Sequence, residues 1–338
     1  MDEKKKERYS DLIRRFPTAQ ILVIGDVILD TYLDCKALGV ANEAPVPLLE
    51  ISKQTHTLGG AANVAHNLAK LGVKTSLLGL IGNDPNGRLL TQLIQENGIR
   101  VFPLLTNRPT LHKSRVFSGR HYYLRLDEEE PSPLSESEAA AFLEEASKAT
   151  RDSKVVLVSD YDKGMFTGSL ARSIEALSVQ HGIPIFGDIK PRNIHYWTHL
   201  RLITPNQSEA RKLFSELIPG APELQNNLEL ARNLSRRLSC DIVLKLAEEG
   251  LIAVGSSGEA YQFQALCWAP ENVSGAGDTV LSTLAAVLAV NAGLREAAFL
   301  ANLAASIAVS HTGTHAVADQ ELLNGIKDLD VEDEGEPS

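Results

Sequence analysis

Short apolar runs rich in β-branched residues alternate with amphipathic or alanine-rich stretches along nearly the whole chain. This alternation limits the possible folds more than any other feature. Gln20–Gly25, Thr75–Ile81, Lys154–Ser159, Ile183–Asp188, Arg201–Thr204 and Asp241–Leu246 read as strands. Helical patterns fall between them at Ala61–Leu71, Asn86–Asn97, Ser135–Ala149, Gly168–His181, Gln207–Leu217 and Leu224–Leu238. Strands that are hydrophobic throughout, separated by helices, predict an α/β fold with a central, mostly parallel sheet and helices on both faces. Two segments break the rhythm. Tyr32–Thr57 contains an extended stretch with Pro45 and Pro47, and Arg100–Asp127 reads as three short strands without a helix. Together they predict a small β-layer projecting from the main sheet, with the prolines at an edge or on an extended arm. Ala276–Ser310, dominated by Ala, Val and Leu, predicts two buried helices joined near Asn291–Arg295.

Composition removes several classes of function. With 33 Lys+Arg against 43 Asp+Glu the net charge is −10, which disfavours a nucleic-acid binder, since a phosphate backbone demands a basic face. Part of that charge is the acidic run from Asp328 to Glu336, read as a solvated tail. At 43% hydrophobic residues the chain has enough apolar side chains for a packed core. No stretch approaches the ~18 apolar residues of a membrane span. The opening MDEKKKERYSDLIRRF lacks the apolar run of a secretion signal. Cys35, Cys240 and Cys267 are scattered and odd in number, as free thiols of a reducing compartment would be. A cytoplasmic protein is expected, with residues 1–17 an extension, 18–325 one domain and 326–338 an acidic tail.

Open α/β sheets bind ligands beyond the carboxyl ends of their strands. The polar residues there are Gly25-Asp26, Gly82-Asn83-Asp84, Ser159-Asp160, Asp188-Ile189-Lys190 and Thr204-Pro205-Asn206. Acids and a lysine converging on one rim suit a polyhydroxylated ligand, although any single strand-end Asp also serves as a cap or turn residue. The strongest local motif is Asn272-Val273-Ser274-Gly275-Ala276-Gly277-Asp278-Thr279, followed by an apolar helix. Gly275 and Gly277 let backbone approach a ligand, and the helix start aims N–H groups and a positive dipole end at it. That arrangement suits a phosphoryl group in transfer, with Asp278 placed to accept the proton of an attacking hydroxyl. A second glycine-rich helix start, Gly59-Gly60-Ala61-Ala62-Asn63, brings backbone and Asn63 near a ligand or packs the helix on the sheet. No GxGxxG, GxxxxGK[ST], HRD/DFG, GxSxG or HExxH pattern occurs. His195/His199 and His311/His315 have i,i+4 spacing, but no acidic partner accompanies either pair in the sequence.

These motifs in this order resemble the ribokinase/PfkB carbohydrate kinase family over about residues 18–325. Gly59–Asn63 is similar to that family's first motif, Val273–Thr279 to its second, and Asn206-Gln207-Ser208-Glu209 to its NxxE element. Within the family, GDVILD at 25–30, EAPVP at 43–47 and SDYDKG at 159–164 resemble the kinase modules of bacterial heptose 7-phosphate kinase/ADP-heptose synthases. Arg125-Leu126-Asp127 and Asp188-Ile189-Lys190 add weaker support.

The resemblance implies a ribokinase-like fold whose projecting β-layer is a lid over the sugar. It further implies transfer of the ATP γ-phosphate, with Mg2+, to O1 of D-glycero-β-D-manno-heptose 7-phosphate. Asp278 would be the base and Gly275, Ala276 and Gly277 the anion hole. Asn206, Gln207, Ser208, Glu209, Lys245, Gly250 and Asn302 would serve ATP, with Glu209 acting indirectly on magnesium. Asp26, Asp30, Gly59, Gly60, Asn63 and Asp160 would hold the sugar. Its phosphate calls for a cationic subsite, for which Lys113, Arg115, Arg120, Lys163, Lys190 and Arg192 are candidates, Lys163 and Lys190 foremost. Asn272 stands where the family usually has Asp at a position that helps bind a monovalent cation such as K+. Lys245 and Ala247 replace a common Thr and Gly, and Lys245 either contacts ATP phosphate or is an ordinary strand residue. With no HxGH-type nucleotide motif, the chain is expected to be kinase-only, and an exposed lid edge predicts a homodimer. The rival readings are a kinase for another sugar, sugar phosphate or nucleoside, a catalytically silent sugar-binding protein, and, more remotely, a NAD-dependent oxidoreductase.

Overall fold

The structure is a computed structural model describing residues 2–266, 273–311 and 313–329. Helix α1 (Glu3–Arg14) leads into β1 (Gln20–Gly25), and two long strands follow, β2 (Val27–Val40) and β3 (Pro47–Gly60). Then come α2 (Ala61–Lys70), β4 (Lys74–Gly82), α3 (Pro85–Glu96), β5 (Arg100–Thr106), β6 (Leu111–Ser118) and β7 (His121–Glu128). The middle of the chain forms α4 (Glu136–Thr150), β8 (Val155–Ser159), α5 (Gly168–His181), β9 (Ile185–Asp188), β10 (Leu200–Ile203) and α6 (Gln207–Leu217). Next are α7 (Asn227–Leu238), β11 (Asp241–Lys245), β12 (Leu251–Val254) and β13 (Ala260–Phe263). Helices α8 (Ala276–Ala289), α9 (Leu294–Val309) and α10 (Asp319–Asp328) complete the described residues.

Nine strands form the main sheet in the order β13-β12-β11-β10-β9-β8-β1-β4-β5. Pairing is parallel from β11 to β5 and antiparallel only at β12 and β13. Side chains alternate across the sheet as a period of two requires. In β1, Ile21 and Val23 face a core built with α2, α8 and α9, while Leu22 and Ile24 face the opposite core of α4 to α7. Both layers consist of buried apolar side chains, which explains why these strands read as continuous apolar runs. Burying each such Leu or Ile contributes about 1.5–3 kcal/mol.

The second sheet is the projecting β-layer, in the order β3-β2-β6-β7. It departs from the sequence reading in two ways. Arg100–Thr106, the first of the three short strands expected in the layer, pairs in parallel with β4 and closes the main sheet instead. The layer also begins earlier, since β2 and β3 pair from Val27–Gly60 outward. A strand followed by a polar turn carries no mark of which sheet it joins, because both choices satisfy its backbone. The hairpin of β12 and β13 was not anticipated, since four-residue strands are too short to display a period. The N-terminal segment is packed into the body. Tyr9 stacks on Phe299 with ring centroids 4.6 Å apart, and Ile13 and Phe16 are fully buried. Cys35 and Cys240 are buried free thiols, whereas Cys267 lies outside the described residues. Among the described residues no helix is long and apolar enough to cross a membrane.

Candidate active site

The site lies at the carboxyl rim of β1, β8, β9 and β10, below the β-layer. Its centre is Asp278, in the first turn of α8. The helix starts there because Gly275 takes a left-handed conformation (φ 81°) that turns the chain into it. A Cβ on Gly275 would lie 2.7 Å from the Thr314 methyl and 3.1 Å from the Asn63 amide, so glycine is required by space as well as by torsion. Asn63, in the first turn of α2, donates from Nδ2 to Asp278 Oδ2 at 2.7 Å. Tyr161 donates its hydroxyl to both carboxylate oxygens, at 3.0 and 3.2 Å. Burial pushes the Asp278 carboxyl up to about 6, with Asp188 adding to it, while the Asn63 and Tyr161 hydrogen bonds and Lys245 pull it back. The result is a carboxylate that is ionised at neutral pH yet still basic enough to take a proton. Burial, reinforced by the Asp278 and Asp188 charges, raises the Tyr161 hydroxyl well above the ordinary tyrosine range, so it remains a donor.

Beside the helix start, the Lys245 ammonium sits 3.2 Å from where a Gly277 Cβ would be. The Gly277 backbone and the Lys245 ammonium therefore sit side by side at the start of α8. Ala276 N–H is already turned onto Val273 O at 3.3 Å. Lys245 Nζ also holds Asp188 Oδ2 at 2.7 Å, and Lys190 Nζ holds Glu209 Oε1 at 2.6 Å. Asp188 Oδ1, Ser159 Oγ and Thr204 Oγ1 are buried at three adjacent strand ends without a hydrogen-bond partner among the described residues. Orphaned oxygens at one rim mark a place built to receive something polar. Asn206 and Glu209 cap α6 reciprocally, with Glu209 N–H on Asn206 Oδ1 and Asn206 N–H on Glu209 Oε2, both at 2.9 Å. The NxxE element is thus a capping box that aims the other Glu209 oxygen at the rim.

On one side of Asp278 a cavity of about 630 Å³ opens between β11, β12, α8 and α9. Lys245, Gly250, Asn206, Asn302, Ala276 and Gly277 line it, along with the apolar Leu251, Leu266, Val280 and Val309. Gln207 and Ser208 do not: Gln207 bonds Asn227 at 3.1 Å and Ser208 points to solvent.

On the other side lie the residues expected to hold the sugar. The Gly59–Gly60 turn is closed against Asp30 and Asp26, and no Cβ fits at Gly60, which also has positive φ. Asp26 Oδ2 accepts from Tyr161 N–H at 2.8 Å, and burial raises its carboxyl to about 7. Asp160 is committed to tying the loop after β8 to the segment after β9, accepting from Asp162 N–H, Asn193 Nδ2 and Lys190 N–H at 2.8 to 3.2 Å. Asp30 pairs with Arg115 at 2.7 Å, Lys163 with Glu129 at 2.7 Å and Arg192 with Asp162 at 2.5 Å. Arg120 is exposed at the β6–β7 turn, remote from the rim, and Asn272 lies outside the described residues. Lys113 differs from all of these. Among the described residues it is the one lysine of the site without a carboxylate in salt-bridge reach, resting 5.5 Å from the Tyr161 ring centre. Burial, and then the Lys163 charge, hold it below the ordinary lysine value. An ammonium so placed gains most from an arriving anion.

The sequence assigns Tyr161, within SDYDKG, and Asp188, a strand end within Asp188-Ile189-Lys190, no individual role at the site. Their partners, Asp278 and Lys245, are 117 and 57 residues away, so no local signal marks them.

The pfkB family carbohydrate kinase model matches residues 18–321. The chain belongs to this family. The bifunctional protein HldE of Magnetococcus marinus is 35% identical over 91% of the chain, and that of Stutzerimonas stutzeri 36% over 93%. The chain spans 64% and 65% of the length of these two relatives. Escherichia coli phosphofructokinase-2 in complex with substrates and products superposes with a TM-score of 0.76 at 20% identity, covering 91% of this chain and 98% of that one. Arabidopsis thaliana ribokinase complexed with ribose and ATP gives 0.69 at 18% identity, covering 91% and 99%. This pfkB chain is a sugar kinase with a ribokinase-like fold, as the motifs predicted, and the oxidoreductase reading falls away.

Proposed function

We propose that this pfkB kinase transfers the γ-phosphate of ATP to O1 of D-glycero-β-D-manno-heptose 7-phosphate, giving the 1,7-bisphosphate. The observation that carries the reading is Asp278, a buried carboxylate between an apolar cavity sized for a nucleotide and a polar rim where Lys113 has no carboxylate in salt-bridge reach among the described residues. The likeness to HldE proteins and the SDYDKG and EAPVP strings favour a heptose phosphate among sugars.

In this reading the Asp278 carboxylate, held in place by Asn63 and Tyr161, takes the proton of the anomeric hydroxyl as it attacks. Gly277 N–H and Lys245 stabilise charge on the transferring group. The base of ATP lies against Leu251, Leu266, Val280 and Val309. The rim fits magnesium: Asp188 has an orphaned oxygen, and Glu209 is a second carboxylate aimed the same way. These two would hold the hydrated ion, and Mg2+ when bound neutralises phosphate charge. Lys113, with Lys190 on the same tyrosine ring at 5.8 Å, would receive the 7-phosphate. The β-layer covers the sugar and keeps water out.

A second copy of the chain is the proposed partner. Strand β7 is exposed along its whole length and carries Tyr122, Leu124 and Leu126 on an unpaired edge.

The test is ATP turnover with the heptose 7-phosphate beside ribose, fructose, fructose 6-phosphate and adenosine, with product position read by phosphorus NMR. A new anomeric phosphate on the heptose phosphate is expected. Lys113→Met should raise KM for the phosphorylated sugar about 10- to 100-fold with kcat little changed. Preference for an unphosphorylated sugar, or an unchanged KM in that variant, overturns the assignment.

A further inference from the structure

Away from the rim, the segment joining α9 to α10 gathers His311, His315 and Glu321. The sequence offers the two histidines no acid; the fold supplies one from the first turn of α10. His315 Nε2 lies 3.0 Å from Glu321 Oε1, and His311 Nε2 lies 3.8 Å from the same oxygen. The two imidazoles stack with centroids 3.9 Å apart and planes 11° from parallel. All three donor atoms fall within 4.8 Å of one another. An ion bound by both rings must lie in both imidazole planes, so the stacked rings have to swing apart about their Cβ–Cγ bonds to bring the three donors to the spacing of about 3.4 Å that a tetrahedral ion at ~2.1 Å requires.

The outer partners point the same way. His311 Nδ1 lies 2.9 Å from Ile307 O, so this nitrogen carries the proton and Nε2 keeps its lone pair outward. Glu321 Oε2 accepts from Ala318 N–H at 2.8 Å and also lies 3.2 Å from His315 Nε2, while Oε1 is the oxygen that approaches both rings. The side chains are 28 to 44% exposed, giving an ion entry and room for a water ligand.

We propose that His311 Nε2, His315 Nε2 and Glu321 Oε1 bind a borderline divalent transition ion such as Zn2+, with water completing the shell. Nitrogen donors select this class over magnesium. The site bears on the reaction centre through Thr314, which lies between the two histidines. Its hydroxyl is 3.1 Å from Tyr32 Oη in the β-layer, and its methyl occupies the space a Gly275 side chain would need. Bound metal ties the end of α9, this segment and α10 together and so pins Thr314 against the Gly275 turn.

The experiment is titration of the EDTA-stripped full chain with ZnCl2 by calorimetry, and with Co2+ by visible absorption. Wild type, H311A, H315A and E321Q are compared, the glutamine variant retaining the α10 cap acceptor. Circular dichroism establishes that each variant is folded. One equivalent of Zn2+ is expected at micromolar or tighter affinity, unaffected by millimolar Mg2+ and weakened at least about 10- to 100-fold in each variant. Amide hydrogen exchange at 313–318 should slow on Zn2+ addition in the wild type alone. Absence of binding at micromolar metal identifies the cluster as an ordinary histidine–glutamate pair and overturns the proposal, as does wild-type affinity in H315A. Binding with unchanged exchange at Thr314 overturns the pinning of the segment.

Discussion

Replacing Asp278 by Asn should stop the enzyme and make the protein more stable at neutral pH. In the folded chain this carboxyl is raised from 3.8 to about 6, chiefly by burial. Keeping it ionised therefore costs the folded state roughly 3 kcal/mol, at 1.36 kcal/mol per pKa unit. Asparagine removes the charge but offers one acceptor oxygen where Asn63 and Tyr161 now donate to two, which returns about 1–2 kcal/mol. The net gain is about 1–2 kcal/mol, or ~2 °C in Tm for a chain of this size. The sign is tied to pH. A carboxyl whose folded value is raised contributes stability below its unfolded value and loses it as pH rises through the folded value. The advantage of the variant is thus full above pH ~7 and shrinks as pH falls from 6 toward 4, where the wild-type group is protonated. Calorimetric melts of both proteins at pH 8, 6 and 4.5 measure this, beside initial rates of ADP release, which should fall about 10²- to 10⁴-fold with ATP binding retained. A variant that melts lower than wild type by the same margin at every pH, or turns over within tenfold of it, refutes the argument.

Tyr161→Phe removes a hydrogen bond that favours the ionised base, so the acidic limb of the kcat/KM profile should move up from about 6, with a several-fold loss at pH 6.5 and little at pH 8.5. An unmoved limb would make Tyr161 a packing residue. Gly275→Ala forces a side chain into a left-handed turn against Thr314, and should cost about 1–3 kcal/mol in urea unfolding together with most of the turnover. Leu126→Asp places a charge on the exposed β7 edge and should convert a dimer to a monomer in solution scattering; a monomeric wild type would remove that edge from the assembly.

Much of the scaffold was legible because its signals are local. Continuous apolar strands and periodic helices placed β1, β4, β8 to β11 and most of the helices within a residue or three, since burial on both faces of a sheet leaves that pattern in the chain. One glycine of each motif was legible as well, because Gly60 and Gly275 combine a positive φ with neighbours that leave no room for a Cβ. Identical local chemistry, by contrast, hid Arg100–Thr106, which satisfies its hydrogen bonds equally well in either sheet.

Charges divide along the same line. The sequence by itself determined the fold class, through alternation along the whole chain, and the carbohydrate kinase motifs, each a short local string, and it singled out Asp278 as the candidate base. Only the tertiary structure decided which polar groups are spent and which remain free. Asp160 ties the loop after β8 to the segment after β9, and Lys163, Lys190 and Arg115 are each met by a carboxylate, while Lys113 is left against a tyrosine face. Tyr161 reaches Asp278 from 117 residues away, and Glu321 comes to two histidines that the sequence leaves without an acid. A side chain's charge is written at its own position, but its partner is chosen by the packing of distant elements, and that choice sets its pKa and its use.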